Sequence, residues 1–354
     1  MYIMGARFPG RYIQAPGLIR KLGQETICFG RKALCLLDGN VTFLETEIRQ
    51  GSQGLDLTLL IHGGECSEAE IERGVKVGRE NGTELIIGIG GGKALDTAKA
   101  VAFRLGNRPC VIVPTIAASD APCSALAVVY RADHSVDYDY FLPRNPDLVL
   151  VDTAIVAAAP SRFLAAGIGD ALATWYEADS SRKAGALNCW GTHGSPIAFE
   201  IARFCRDIIF ENGAQALADC DEKKVTQALE RVVEANILLS GAGFESGGVA
   251  GAHAIHHGLC TLPDVHGYLH GEKVAIGVLC TLLIHGEQAE YEKVRAYCKT
   301  VRLPVKLADI GILDVTDDKL FRVAERACRP GDIMFNEPIL VTPEKVVAAL
   351  RALN

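Results

Sequence analysis

IIGIGGGKALDTAK, residues 86–99, joins a β-type run to a helical one. The run Glu84–Ile89 ends in three glycines, Gly90, Gly91 and Gly92, after which Leu95, Ala98, Val101 and Ala102 recur at helical spacing as far as Gly106. The pattern reads strand, glycine turn, helix. Glycines remove every Cβ at the turn, so backbone can approach a ligand while the first N–H groups of the helix point outward without intrahelical partners. Such a turn binds anions, phosphate above all. Glycine turns also join strands to helices in folds that bind nothing, and the register is not G-x-G-x-x-G: after Gly88 and Gly90, Lys93 stands where the third glycine would be.

Working outward, Lys32–Asp38 (KALCLLD) and Leu55–His62 read as buried parallel strands. Ser67 and Glu70 have capping-box spacing for a helix running to about Asn81-Gly82, and Cys110–Val113 supplies another strand stopped by Pro114. Alternation of strand and helix is the signature of an open, mostly parallel, Rossmann-like α/β sheet. Ser124–Tyr130 and Val136–Phe141 read as a hairpin appended near the sheet edge, and Leu148–Val151 as the last strand. From about Ser161 the periodicity becomes helical: Arg162–Arg182, Pro196–Glu211, Asp221–Leu239, Glu272–His285, Glu287–Val301 and Pro343–Ala352. The expected architecture is an α/β domain over residues 1–160 followed by an all-α helical bundle over residues 161–354, with a ligand cleft where they meet near Pro160.

A chain of 354 residues is long enough for two domains, each with its own core, and 49% hydrophobic with 22% charged residues is an ordinary globular composition. The net charge of −7 argues against a nucleic-acid backbone or an anionic membrane surface as partner. The N-terminal stretch MYIMGARFPGRYIQAPG has no signal-peptide core and nowhere do 18 apolar residues run together, so a cytoplasmic location is expected. Twelve cysteines are scattered singly with no C-x-x-C, which reads as reduced thiols; Cys110 and Cys280 lie in apolar runs as small hydrophobes.

Five of the nine histidines fall between His253 and His270, in GAHAIHHGLCTLPDVHGYLH. Such clustering points to a metal or a proton-transfer site. His253 and His256 are three apart and share one face of a presumed helix, which is also what a plain polar patch looks like. Asp170 sits in the apolar string LAAGIGDALAT (164–174), where an unpaired carboxylate is expensive to bury; a bound cation satisfies it, and so does capping after Gly169. Asp38 closes the first strand, where a carboxylate can bond adenosine ribose hydroxyls and repel a 2′-phosphate, favouring NAD over NADP.

The segments GIGGGKALDTAKA (88–100), TIAASDAPCSALAVVY (115–130), AAGIGDALATWYEA (165–178), GFESGG (243–248), HAIHHGL (253–259) and HGEKVAIG (270–277) together resemble the bacterial glycerol dehydrogenases, within the iron-type alcohol dehydrogenase and dehydroquinate synthase superfamily. The likeness runs from about Gly10 to about Arg302 and weakens beyond, with Gly331–Asn354 departing from the pattern. It implies a zinc ion held by Asp170, His253 and His270. Iron-type relatives usually carry a histidine four residues after the aspartate; that place is Thr174 here, which favours a three-ligand zinc site with an open position. For NAD the resemblance implies Gly92 and Lys93 at the diphosphate, Thr115 and Ala118 on the nicotinamide side, and Ser124, Leu126 and Tyr130 as further contacts. Ala118 departs from a frequent serine. Asp120 falls where the family contacts the polyol, although Ser-Asp-Ala-Pro is also a common turn. Asp120 and His253 are thus the residues expected nearest the chemistry.

The activity so implied is zinc-dependent, NAD-linked oxidation of glycerol or a similar vicinal diol to dihydroxyacetone, by a homo-oligomer such as the rings, possibly octameric, that the family forms. A phosphorylated-polyol dehydrogenase or a dehydroquinate synthase-like lyase calls for extra basic side chains near the metal, and Lys273 alone lies near the histidine cluster in sequence. A metal-binding module without turnover calls for a missing ligand or substrate residue, and none is missing.

Overall fold

The computed structural model describes residues 2–132 and 135–354. Two short strands, β1 (Met4–Gly5) and β2 (Tyr12–Ala15), precede helix α1 (Leu22–Thr26). Strand and helix then alternate: β3 (Lys32–Asp38), α2 (Glu45–Gly51), β4 (Asp56–His62), α3 (Glu68–Glu80), β5 (Leu85–Gly90), α4 (Gly92–Arg104) and β6 (Cys110–Pro114). The hairpin β7 (Leu126–Tyr130) and β8 (Val136–Phe141) follows, then β9 (Leu148–Asp152) and α5 (Thr153–Ala158).

Six strands form one sheet in the order β2-β9-β6-β5-β3-β4, with every pairing parallel. Both faces are covered, which explains the unbroken apolar runs of the central strands. Leu34, Leu36, Ile86, Ile112 and Val149 face a core shared with the helical half of the chain, and Cys35, Leu37, Ile87, Ile89 and Val111 face Ile19, Leu22 and Ile48 on the other side. Strand order reverses at β3, whose neighbours are β4 and β5, so Asp38 and Gly90 end adjacent strands at the switch point. Ligands of open α/β sheets bind at that place.

The hairpin is not on the sheet edge. It forms a separate two-stranded antiparallel sheet, and the edges of the large sheet are β2 and β4. Side chains rather than a backbone ladder fix it: Asp96 on α4 accepts from Val128 N (3.0 Å), and Tyr138 donates to Glu68 of α3, which Arg104 also grips at 2.7 Å. Strand β2 carries little strand signal, YIQA being short and of mixed polarity, yet it pairs with β9 from Tyr12↔Val149 to Ala15↔Asp152.

Helices make up most of the second half: α6 (Ser161–Ala184), α7 (Pro196–Asp221), α8 (Gln227–Glu234), α9 (Ser240–Gly247), α10 (Gly251–Leu259), α11 (His270–Ile284), α12 (Gln288–Thr300), α13 (Asp317–Ala327) and α14 (Pro343–Ala352). A two-residue strand, β10 (His193–Gly194), pairs with β1 and ties the N-terminus to this part. Two helix boundaries differ from expectation. α7 runs on to Asp221, and the next helix starts only at Gln227, where Thr226 accepts from Leu229 N (3.2 Å) as N-cap. That helix does not stop at Leu239 but passes through a π-helical turn, Ala235–Leu239, into α9. Helix α13 is an addition to the expected set. All twelve cysteines are free thiols, and among the described residues no helix is long and apolar enough to cross a membrane.

Candidate active site

At the switch point, Gly90 has φ +149° and an added Cβ would meet Asp38 Cβ at 2.3 Å, so only glycine lets β5 leave the sheet beside the end of β3. Asp38 accepts from Asn40 N (2.9 Å) and Gly91 N (3.2 Å). Gly91 caps α4 without a side-chain partner, and the space around Gly92 is open. Lys93 is exposed; its ammonium pairs with Glu65 (2.7 Å) and lies 5.3 Å from the Tyr130 ring centroid. Thr115 N donates to Gly90 O (3.0 Å), carrying the chain from β6 across the same end of the sheet.

The second half of the site is built by α6, α10 and α11. Gly169 and Gly271 let α6 and α11 come together: a Cβ on Gly271 would lie 1.8 Å from Ala166 O, and one on Gly169 would lie 2.4 Å from Gly271 O. This close approach sets Asp170, only 1% exposed, against the first residue of α11. Asp170 Oδ1 is 3.1 Å from His270 Nε2 and 3.5 Å from His253 Nε2. Asp170, His253 and His270 can each present one ligand atom with all three within 4.8 Å of one another, a geometry able to hold a metal ion. Of the three, His270 is the most exposed, its side chain 40% accessible against 16% for His253 and 1% for Asp170. Thr174, the position of a fourth ligand in iron-type relatives, shares a 2.8 Å hydrogen bond with Ser240 Oγ instead.

Electrostatics fit a cation here. Burial alone would raise the Asp170 carboxyl, yet His270 and His253 hold it well below the usual carboxylate range. Burial disfavours a charged His253, but Glu177 and Asp170 outweigh it and raise its pKa well above the ordinary value. Burial and then His270 push His256 well down, and burial followed by His253 takes His257 to about 4. His256 Nε2 stands 3.1 Å from His270 Nδ1 and 3.4 Å from Cys260 Sγ.

The segment between β6 and β7 lies over both halves. Asp120 N donates to Asp170 Oδ2 (3.2 Å), and Asp120 Oδ2 accepts from Ser240 Oγ (2.7 Å). Burial, then the Asp170 charge, pushes the Asp120 carboxyl well above its ordinary range. Ala117 O accepts from the Asn236 amide (3.0 Å), which also reaches Leu164 O (3.2 Å), so the π-helical turn pins this segment to α6. Ser124 is buried with its hydroxyl on Ala121 O (3.3 Å), whereas Ala118, Leu126 and Tyr130 are half-buried. Asp38, Gly92, Lys93, Thr115 and Tyr130 thus gather around the glycine turn, and Asp120 stands with Asp170, His253 and His270.

Several buried residues of the site went unread in the sequence. Lys99 donates to Ala121 O (2.9 Å), Ser124 O (3.3 Å) and Leu126 O, and pairs with Asp96 (2.8 Å). Glu245 accepts from Ala125 N (2.9 Å) and from Asn145. Glu177 accepts from Ala250 N (2.9 Å) and His253 N (2.8 Å) and meets His253 Nδ1 at 2.5 Å. A signal existed for the last: Asp170, Thr174, Glu177 and Ser181 form one polar stripe on α6, and all four are buried.

Residues 9–153 match the family model described as iron-containing alcohol dehydrogenase. The glycerol dehydrogenase of Thermotoga maritima is 50% identical over 348 residues, 98% of this chain and 95% of the relative. The chain belongs to the glycerol dehydrogenase branch of the iron-containing alcohol dehydrogenase family. It is an oxidoreductase. The glycerol dehydrogenase of Pseudomonas putida is 46% identical, covering 97% of this chain and 94% of its own. A crystal structure of a probable glycerol dehydrogenase from Sinorhizobium meliloti 1021 superposes with TM-score 0.94 at 45% identity, covering 99% of this chain and 98% of that one. A match over 98% of the chain overturns the expectation that family likeness fades beyond Arg302. The C-terminal segment also supports the site of this family member: Glu337 accepts from Gly251 N (2.7 Å) at the start of the histidine helix α10, and α14 buries Val346, Val347 and Leu350.

Proposed function

We propose that the enzyme oxidises the secondary hydroxyl of glycerol, or of a similar small vicinal diol, with NAD as hydride acceptor and zinc held by Asp170, His253 and His270, giving dihydroxyacetone from glycerol. The observation that carries this reading is the convergence of one buried carboxylate and two imidazoles on a single point, beneath a segment that continues to the glycine turn of a switch-point sheet. One carboxylate and two imidazoles, which ligate in their neutral form, suit catalytic zinc. When bound, the metal supplies Lewis-acid polarisation of an alcohol oxygen and the nicotinamide supplies the hydride acceptor.

The protein's own part is positioning and charge. Asp170, buried and fixed by Asp120 N, orients the cation-binding pocket. Asp120, steadied by Ser240, is suited to accept a hydrogen bond from a hydroxyl other than the one oxidised. A cation beside Asp170 favours the ionised form of Asp120, reversing the effect of the neighbouring carboxylate. The open first turn of α4 at Gly92 and the Lys93 ammonium serve the cofactor diphosphate. Asp38, at the end of β3, would meet the adenosine ribose and so select NAD over NADP.

The test is NADH absorbance with glycerol after the protein has been stripped with a chelator and reloaded with Zn2+ or Fe2+. Zinc is expected to restore turnover, and His270→Ala to lose bound zinc and turnover together. Full activity in a metal-free His270→Ala protein would refute the reading.

A further inference from the structure

We infer that Glu177 is a positioning residue that selects the metal-binding tautomer of His253. The inference rests on the metal reading of the site given above. Its structural basis is the division of labour between the two oxygens of one carboxylate. Glu177 is 2% exposed, seven residues after Asp170 and on the same face of α6. Oε1 accepts from Ala250 N at 2.9 Å and from His253 N at 2.8 Å, two donors at the start of α10 that have no partner within that helix. Oε2 meets His253 Nδ1 at 2.5 Å.

With Oε1 taken up by two N–H groups, Oε2 is the oxygen left to meet the ring. Oε2, an acceptor, therefore requires hydrogen on Nδ1. A neutral imidazole that carries hydrogen on Nδ1 has a free lone pair on Nε2, and Nε2 is the atom that faces Asp170, at 3.5 Å. The same carboxylate thus holds the helix start, sets the ring plane and leaves the correct nitrogen open. Carboxylates behind metal-bound imidazoles act in this way generally, and their loss weakens metal binding by about 10- to 100-fold.

Glu177→Gln separates these roles. Its carbonyl oxygen can take the place of Oε1 and keep both backbone bonds, and the amide nitrogen then faces Nδ1 as a donor. Nδ1 must become the acceptor, hydrogen moves to Nε2, and the nitrogen facing Asp170 can no longer ligate. The reverse amide orientation sets an NH2 group against two backbone N–H donors and is excluded.

The experiment compares chelator-stripped wild type, E177Q, E177D, H253A and H253A/E177Q. Zn2+ affinity is measured by competition with a chromophoric chelator, the ligand set is followed through the visible absorption of bound Co2+, and folding by circular dichroism. E177Q is expected to remain folded, to bind Zn2+ about 10- to 100-fold more weakly than wild type, and to give the Co2+ spectrum of H253A. E177D, which keeps an acceptor but draws it back, is expected to lose less, and it carries the comparison if E177Q does not fold. In the H253A background E177Q is expected to have no further effect. Wild-type affinity in E177Q, or an equal loss with and without His253, overturns the inference, the latter by showing that Glu177 acts through charge alone. A wild type that binds neither metal overturns the site reading and this inference with it, whereas metal-bound wild type with unaffected E177Q overturns this inference alone.

Discussion

Replacing Lys99 by methionine tests what holds the segment between β6 and β7 over the site. Lys99 is 3% exposed, and its ammonium joins three carbonyls, those of Ala121, Ser124 and Leu126, to the Asp96 carboxylate. Asp96 in turn accepts from Val128 N, so residues 121–128 are fastened at both ends to α4, the helix that opens with the glycine turn. Methionine fills most of the same volume without a donor, so the change removes hydrogen bonds rather than packing. Breaking one member of a buried ion pair costs about 3–5 kcal/mol, most of it the penalty of the charge left behind. The loss falls on this segment, which corresponds to a rise in local opening of roughly a hundredfold or more, at 1.4 kcal/mol per tenfold.

Amide hydrogen exchange over residues 117–130 reads that opening directly, and it is informative even where unfolding is not a single step. Lys99→Met is expected to lose protection there while β3 and β5 keep theirs, and to bind NADH more weakly because Ser124, Leu126 and the approach to Asp120 are no longer held. Lys99→Met/Asp96→Asn is expected to regain part of the loss, about 1–3 kcal/mol, since the uncompensated carboxylate is gone. Protection in Lys99→Met equal to wild type would refute the reasoning, as would a double variant no better than the single one.

Changes at two further positions address substrate and cofactor choice. Asp38→Gly is expected to narrow the NAD/NADP ratio of kcat/KM, because two like charges about 4 Å apart repel by about 1 kcal/mol in a water-like medium and about 4 kcal/mol near a protein surface; an unchanged ratio means that Asp38 does not read the ribose. Asp120→Asn and Asp120→Ala are expected to lose about 1–3 kcal/mol of preference for 1,2-propanediol over 2-propanol, roughly ten- to a hundredfold, while some 2-propanol oxidation persists. Equal losses on the two alcohols would instead assign Asp120 to cofactor positioning or to the chemical step.

What the sequence made legible follows the range over which each signal acts. Strand and helix alternation, the glycine turn and the N-cap at Ser67 are local, and the structure reproduces them within a residue or two; even there the capping box is half made, because Glu70 turns to Gly63 N and Arg73 rather than back to Ser67. Asp170 stood out because a charge inside an apolar helix demands a partner, and His253 and His270 stood out by clustering. Lys99, Glu177, Asn236 and Glu245 did not, because each binds backbone groups far away in the chain: Glu177 reaches 76 residues on to His253, and Asn236 reaches 119 back to Ala117. The hairpin was misplaced for the same reason, since alternating strands specify pairing with each other but not the side-chain contacts with α3 and α4 that seat them.

Helix α6 shows how part of that long-range information could still be extracted. An ordinary surface helix carries a polar stripe toward water, and the opposite face packs. In α6 the stripe Asp170, Thr174, Glu177 and Ser181 is buried instead, flanked by alanine, leucine and glycine. Each member must then meet a partner across the interface, and each does: the histidine pair, Ser240, the start of α10 and Val249 O. Buried polar residues at spacings of four, three and four along this 24-residue helix therefore mark the line along which other elements dock by hydrogen bonding. On α6 that line joins Asp170, the proposed metal ligand, to Glu177, proposed to orient His253, so the stripe that meets α10 also runs along the candidate site.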